Sequence, residues 1–148
     1  KFYVLDFNNP DQFLDLQFDY VIGNGILHHL YYKLDNALVN ISKLLKPGGK
    51  FIFIEPNIIN PYCYLIFKFP HFSKLAKLEP DEMAFSRNFI SNKLNQAGYQ
   101  NINVSYYDFL LPNTPFSIVK FVSRCSDIIE KIFPFNRVSQ SIFIEAQK

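Results

Sequence analysis

The sequence predicts an α/β fold with a mostly parallel sheet and helices on both of its faces. Three observations carry this. Short apolar runs alternate with segments whose apolar residues recur at three- and four-residue steps. Phe51-Ile52-Phe53-Ile54 is apolar without alternation, as a strand covered on both sides is. Strand–helix alternation of this kind builds a parallel sheet, because each return to the sheet's starting edge needs a crossover.

Residues 2–5 form a short apolar strand, stopped by Asp6-Phe7-Asn8-Asn9-Pro10. Residues 10–16 suit a short helix, with Asn9 as N-cap and Pro10 at the first helical position. Tyr20-Val21-Ile22 is the next strand, and Gly23-Asn24-Gly25 lets the chain leave the sheet sharply. Residues 34–45 give the clearest helix: Leu34, Ala37, Leu38, Ile41, Leu44 and Leu45 share one face. Lys46-Pro47-Gly48-Gly49 ends it with a cation followed by breakers. Residues 56–85 are less regular, with an aromatic helix predicted over 62–69. Ser86 caps a helix carrying Phe89, Ile90, Leu94 and Ala97, which Gly98 ends. Residues 102–106 alternate like a strand with one exposed face, and residues 112–115 form a loop. Residues 117–133 are helical up to Pro134, and residues 141–146 are the last strand.

The 148 residues, 49% hydrophobic and 19% charged, suit one domain with a substantial core. A net charge of +2, with no basic block, argues against nucleic acid. Cys63 and Cys125 lie far apart and make no CxxC site, so a reducing cytoplasm is the expected compartment, with a disulfide between them left open. The opening residues lack the hydrophobic stretch of a signal peptide, and no apolar run has transmembrane length.

Four segments resemble class I S-adenosylmethionine-dependent methyltransferases. Phe18-Asp19-Tyr20-Val21-Ile22-Gly23-Asn24-Gly25-Ile26-Leu27-His28-His29-Leu30 is similar to that family's fourth-strand motif. Leu44-Leu45-Lys46-Pro47-Gly48-Gly49-Lys50-Phe51 resembles the turn into its fifth strand. Gln96-Ala97-Gly98-Tyr99 resembles the turn before the sixth, and Ser141-Ile142-Phe143-Ile144-Glu145-Ala146 the seventh, antiparallel strand. The resemblance implies a Rossmann-like, doubly wound sheet of order 3-2-1-4-5-7-6, here truncated at its N-terminal side. The family's Gly-rich loop after the first strand is absent, as is the acidic residue ending the second. The chain is therefore expected to be a partial domain, third strand to seventh, with roughly 60 to 100 residues, on the scale of two βα units, preceding it. Such a piece is expected to be inactive alone. Residues 56–85 and 107–120 fall where the family places its acceptor-side or lid segments.

The resemblance implies S-adenosylmethionine as cofactor, held by Asp6 and Phe7 at the adenine, and by Asn24 and Gly25 at the methionine part. For Asp6 the rival reading is a carboxylate that caps the loop or the following helix, and for Asn24 and Gly25 it is an ordinary turn. His29 is expected in the cofactor pocket wall, and His28 or His29 is a candidate base. Adjacent histidines on a helix start point different ways and no third ligand is evident, so no metal site is expected. Glu55, Asn57 and Tyr62 are the candidate acceptor contacts, with capping or core packing as the alternative. Glu79-Pro80-Asp81-Glu82 reads as a solvated acidic loop. Residues 117–133 are amphipathic enough for a membrane surface, but Asp127 and Glu130 interrupt the basic residues, and the family's counterpart packs on the sheet. The expected reaction is methyl transfer to a small, apolar organic acceptor. Two alternatives stay open: another nucleotide-binding α/β enzyme, such as a dehydrogenase or aminopropyl transferase, and a non-catalytic subunit of the same fold.

Overall fold

A computed structural model of the chain describes residues 6–7, 16–111 and 114–148. The strand predicted over 2–5, nearly all of the helix over 10–16, and part of the loop over 112–115 lie outside these residues.

Four strands make one sheet: β1 (Phe18–Asn24), β2 (Leu45–Pro56), β3 (Gln100–Tyr107) and β4 (Ser141–Gln147), in the order β1-β2-β4-β3. β1 and β2 are parallel, while β4 runs antiparallel to both β2 and β3. Three strands thus share one direction, and the last inserts against them, as the resemblance implies. Between β1 and β2 come a 3-10 helix (Leu27–Lys33) and α1 (Leu34–Leu44). After β2 come α2 (Pro61–Lys68), α3 (Pro70–Leu75) and α4 (Arg87–Gln96); α5 (Phe116–Ile129) and a short 3-10 turn (Phe135–Val138) lead into β4.

The elements form for the local reasons expected. Ser86 accepts a hydrogen bond from the Phe89 amide at 3.2 Å and starts α4; Gly98, at φ +87°, takes the chain out of it. Asn60 caps α2 by accepting from the amides of Tyr62 and Cys63, with Pro61 at the first turn. β2 is longer than predicted. It begins at Leu45 because the Lys46–Gly49 turn stays hydrogen-bonded into the sheet as an irregularity, the register passing from Phe18↔Leu45 to Tyr20↔Lys50.

α1 and α4 cover one sheet face. Leu34, Leu38, Ile41, Ile90 and Leu94 meet Phe51, Phe53, Val104, Ile142 and Ile144 in one buried cluster. The Phe51 and Phe53 rings stack at 4.2 Å, and the buried Tyr99 hydroxyl donates to the Leu38 carbonyl at 3.0 Å. On the other face Tyr20 is 57% and Ile22 71% exposed. The helix predicted over 117–133 forms as α5. Val119, Val122, Cys125 and Ile129 make a half-buried stripe beside buried Ser126, while Phe116, Ile118, Phe121 and Ile128 are exposed. Polar bonds tether it as well: the Phe109 amide donates to Ser126 Oγ and the Asp108 amide to Glu130, both at 3.0 Å. These bonds join it to the turn leaving β3.

Candidate functional site

Parallel strands place their C-terminal ends on one edge, and there β1 and β2 open a site. Gly23, near the end of β1, lies against the Phe53 ring where a Cβ has no room. Gly25 takes φ +63°, a left-handed angle that glycine adopts without strain, and its amide donates to the Ile54 carbonyl at 2.8 Å. The chain is thereby turned back over the end of β2 and into the 3-10 helix.

That helix has no side-chain cap of its own and no acidic residue in its first turn. Glu55, one residue past the Asn24↔Ile54 pair, supplies both. Its carboxylate accepts from the amides of Ile26 (3.0 Å), Leu27 (2.8 Å) and His28 (3.2 Å). It also accepts from His28 Nδ1 at 2.9 Å. Glu55 is 1% exposed, so these four donors replace the water it has lost. With Nδ1–H given to a carboxylate, the neutral His28 ring keeps its lone pair on Nε2.

His28 lines a cavity of about 510 Å³, together with Asn24, Gly25 and Glu55. Tyr62, Ile66 and Phe67 of α2, with Leu78, give it an apolar lining. Tyr107, Asp108 and Ser141 close it from the ends of β3 and β4. Cys63 also lines it, and burial pushes this thiol's pKa up to about 11, so it is neutral near pH 7. Both cysteines are free thiols.

Some residues singled out from sequence converge here and others do not. Asn24, Gly25, His28, Glu55 and Tyr62 share the cavity. Asn57 does not: it is fully buried, donates to the carbonyls of Arg137 and Ser139, and accepts from the Ile59 amide. Its role is to hold the loop after β2, because every polar atom of its side chain is already bonded within the protein. Glu55, too, faces its own helix start, so its carboxylate positions His28 instead of reaching an acceptor. Asp6 and Phe7 lie apart from this lining; Phe7 packs on the core and its carbonyl accepts from Asn40 Nδ2 at 2.8 Å. His29 opens on a separate, smaller cavity with Lys33 and Asp81. Its Nδ1 lies 2.9 Å from Glu82 Oε1, and the Glu82 side chain is only 6% exposed. The acidic loop over 79–82 is thus not wholly solvated, because Glu82 turns inward to meet an imidazole. Tyr107, Asp108 and Ser141 were missed as individual residues. Their one signal was position, since Tyr107 ends a strand pointing at the ligand edge.

The order β1-β2-β4-β3 with an antiparallel β4 is the one the resemblance to class I methyltransferases implies, and comparison with known proteins finds the same fold. Residues 1–51 match the family model described as a methyltransferase domain. Over 146 residues the chain is 28% identical to "Probable polyketide synthase 32" of Dictyostelium discoideum, covering 91% of this chain and 5% of that protein. It spans only about 5% of the length of the first curated relatives it matches. A SAM dependent methyltransferase from Archaeoglobus fulgidus superposes with a TM-score of 0.61 at 16% identity, covering 97% of this chain and 65% of that one. The CurJ carbon methyltransferase gives 0.57 at 18% identity, covering 97% and 33%. The family model covers the first third of the chain and the solved structures share its fold, so S-adenosylmethionine, the cofactor of the Archaeoglobus relative's class, is the group whose fit the site has to meet. Among the described residues no helix is long and apolar enough to cross a membrane.

The cavity suits the methionine end of that cofactor. Asn24 and Gly25 form a turn at the strand ends, Gly25 offers no side chain to obstruct approach, and an apolar wall stands beside them.

Proposed function

We propose that this chain supplies the acceptor half of a methyl-transfer site that acts on a carbon acid of polyketide type, with His28 as the proton acceptor. The observation carrying the reading is the His28–Glu55 pair, an imidazole pinned by a buried carboxylate at the wall of a cavity of about 510 Å³. The names of the matched relatives, a polyketide synthase and a carbon methyltransferase, support the acceptor class.

When bound, S-adenosylmethionine supplies an electrophilic methyl group on a sulfonium. The chain's own residues do the rest. Asn24 and Gly25 hold the methionine end, and Asp6 and Phe7 keep the adenine-side role the resemblance implies. Tyr62, Ile66, Phe67 and Leu78 exclude water and present an apolar wall to the acceptor. Their positions, with Tyr107 and Asp108, support residues 56–85 and 107–120 as the acceptor-side segments. A carbon between two carbonyls must lose a proton to become nucleophilic. His28 Nε2 takes it, and Glu55 stabilises the imidazolium that results.

The test uses the full-length protein. His28→Ala and Glu55→Gln are expected to lower methyl transfer by about 10²- to 10⁴-fold, the usual range for losing a positioned base. Calorimetric affinity for S-adenosylmethionine should change little in His28→Ala. Turnover of His28→Ala at the wild-type rate would remove His28 from the chemistry.

A further inference from the structure

Adjacent residues on an α-helix point about 100° apart, which is why neighbouring histidines seldom share a ligand. Here they do converge. The His28 and His29 ring centroids lie 4.2 Å apart with the planes 34° from parallel. Glu82 arrives from the loop before α4, with Oε1 2.9 Å from His29 Nδ1. The Met83 amide donates to the His28 carbonyl at 3.2 Å and fixes that loop against the 3-10 helix. One donor atom from each of His28, His29 and Glu82 lies within 4.8 Å of the other two.

We propose that His28, His29 and Glu82 bind a divalent transition ion of the zinc type, and that the bound ion blocks the His28 imidazole. Two imidazoles and a carboxylate are a donor set that such ions take, with water in the fourth position. Donors around tetrahedral zinc stand about 3.3 Å apart, so these three must close by up to about 1.5 Å. His29 has room to do so, since its side chain is 45% exposed. Glu55 on His28 Nδ1 is the outer partner that orients a metal-binding imidazole through its far nitrogen. The cavity beside His29 gives an ion a way in; Asp81 there favours a cation and Lys33 opposes it. Only the blocking effect rests on His28 acting as the base; ion binding does not.

The experiment is a calorimetric titration of the untagged full-length protein with zinc chloride, without S-adenosylmethionine. One equivalent is expected to bind, and His29→Ala and Glu82→Gln should each weaken it about tenfold or more. Asp81→Asn removes a neighbouring charge but no donor, so it should weaken binding by less than about threefold. Cobalt(II) should give visible bands of a four-coordinate site in the wild type and lose them in Glu82→Gln. Thermal melting checks that each variant is folded. No saturable zinc binding by the folded wild type overturns the site, as does equal binding in both donor variants or equal weakening by Asp81→Asn. In the methyl-transfer assay zinc should inhibit the wild type and need about tenfold higher concentration against Glu82→Gln. Tight binding without inhibition would keep the ion site and refute His28 as the base.

Discussion

Asn57 is set three residues before the α2 cap, and its side chain makes three hydrogen bonds with no access to water. Asn57→Ala would leave the carbonyls of Arg137 and Ser139 buried without that donor and is expected to cost about 2–4 kcal/mol, read as a lower midpoint in urea unfolding. From sequence this residue looked like an acceptor contact, because an Asn at a strand end fits either role. The difference lies in partners about 80 positions downstream. Cys63 is the opposite kind of residue, at the cavity yet inert. Its raised pKa keeps the thiol protonated at pH 8, so iodoacetamide should label the half-exposed Cys125 well before it, as followed by mass spectrometry.

At the scale of elements, the turn chemistry was legible. Ser86 does cap α4, and the breakers after α1 do end it, since caps and breakers act within a few residues. Two elements depart from the pattern. β2 reaches back through Gly48-Gly49 because β1 lies alongside to pair with it. α5 keeps its helical apolar period but half-buries only the stripe Val119, Val122, Cys125 and Ile129 and leaves Phe116, Ile118, Phe121 and Ile128 exposed, since period alone cannot name a helix's partner. The β1–β2 contact yields a prediction. Gly23→Ala would put a methyl group into the Phe53 ring, so the ring or strand must shift, at an expected cost of about 1–3 kcal/mol in chemical denaturation.

The whole molecule should be less stable in alkali. Burial raises the pKa of Cys63 from 9.0 to about 11, and raises that of Tyr99 above its usual 10.0. The folded state thus keeps protons that the unfolded chain releases above pH 9. Stability contributed by these groups is fully present below pH 9 and is lost as pH rises toward the folded values, so the melting temperature should fall through that window. Tyr99→Phe should flatten the upper part of the fall. By itself the sequence determined the succession of the described strands and the main helices, the turn that leaves the sheet at Asn24-Gly25, and the family it resembles. Periodicity, caps and breakers are local and can be read along the chain. Only the tertiary structure decided what the polar side chains do. Glu55 turns back 27 positions to His28, and Glu82 turns inward to His29. Such pairings are set by how strand ends and loops meet in space. A buried carboxylate takes whichever donors the fold brings to it, and nothing in its neighbouring residues says which those are.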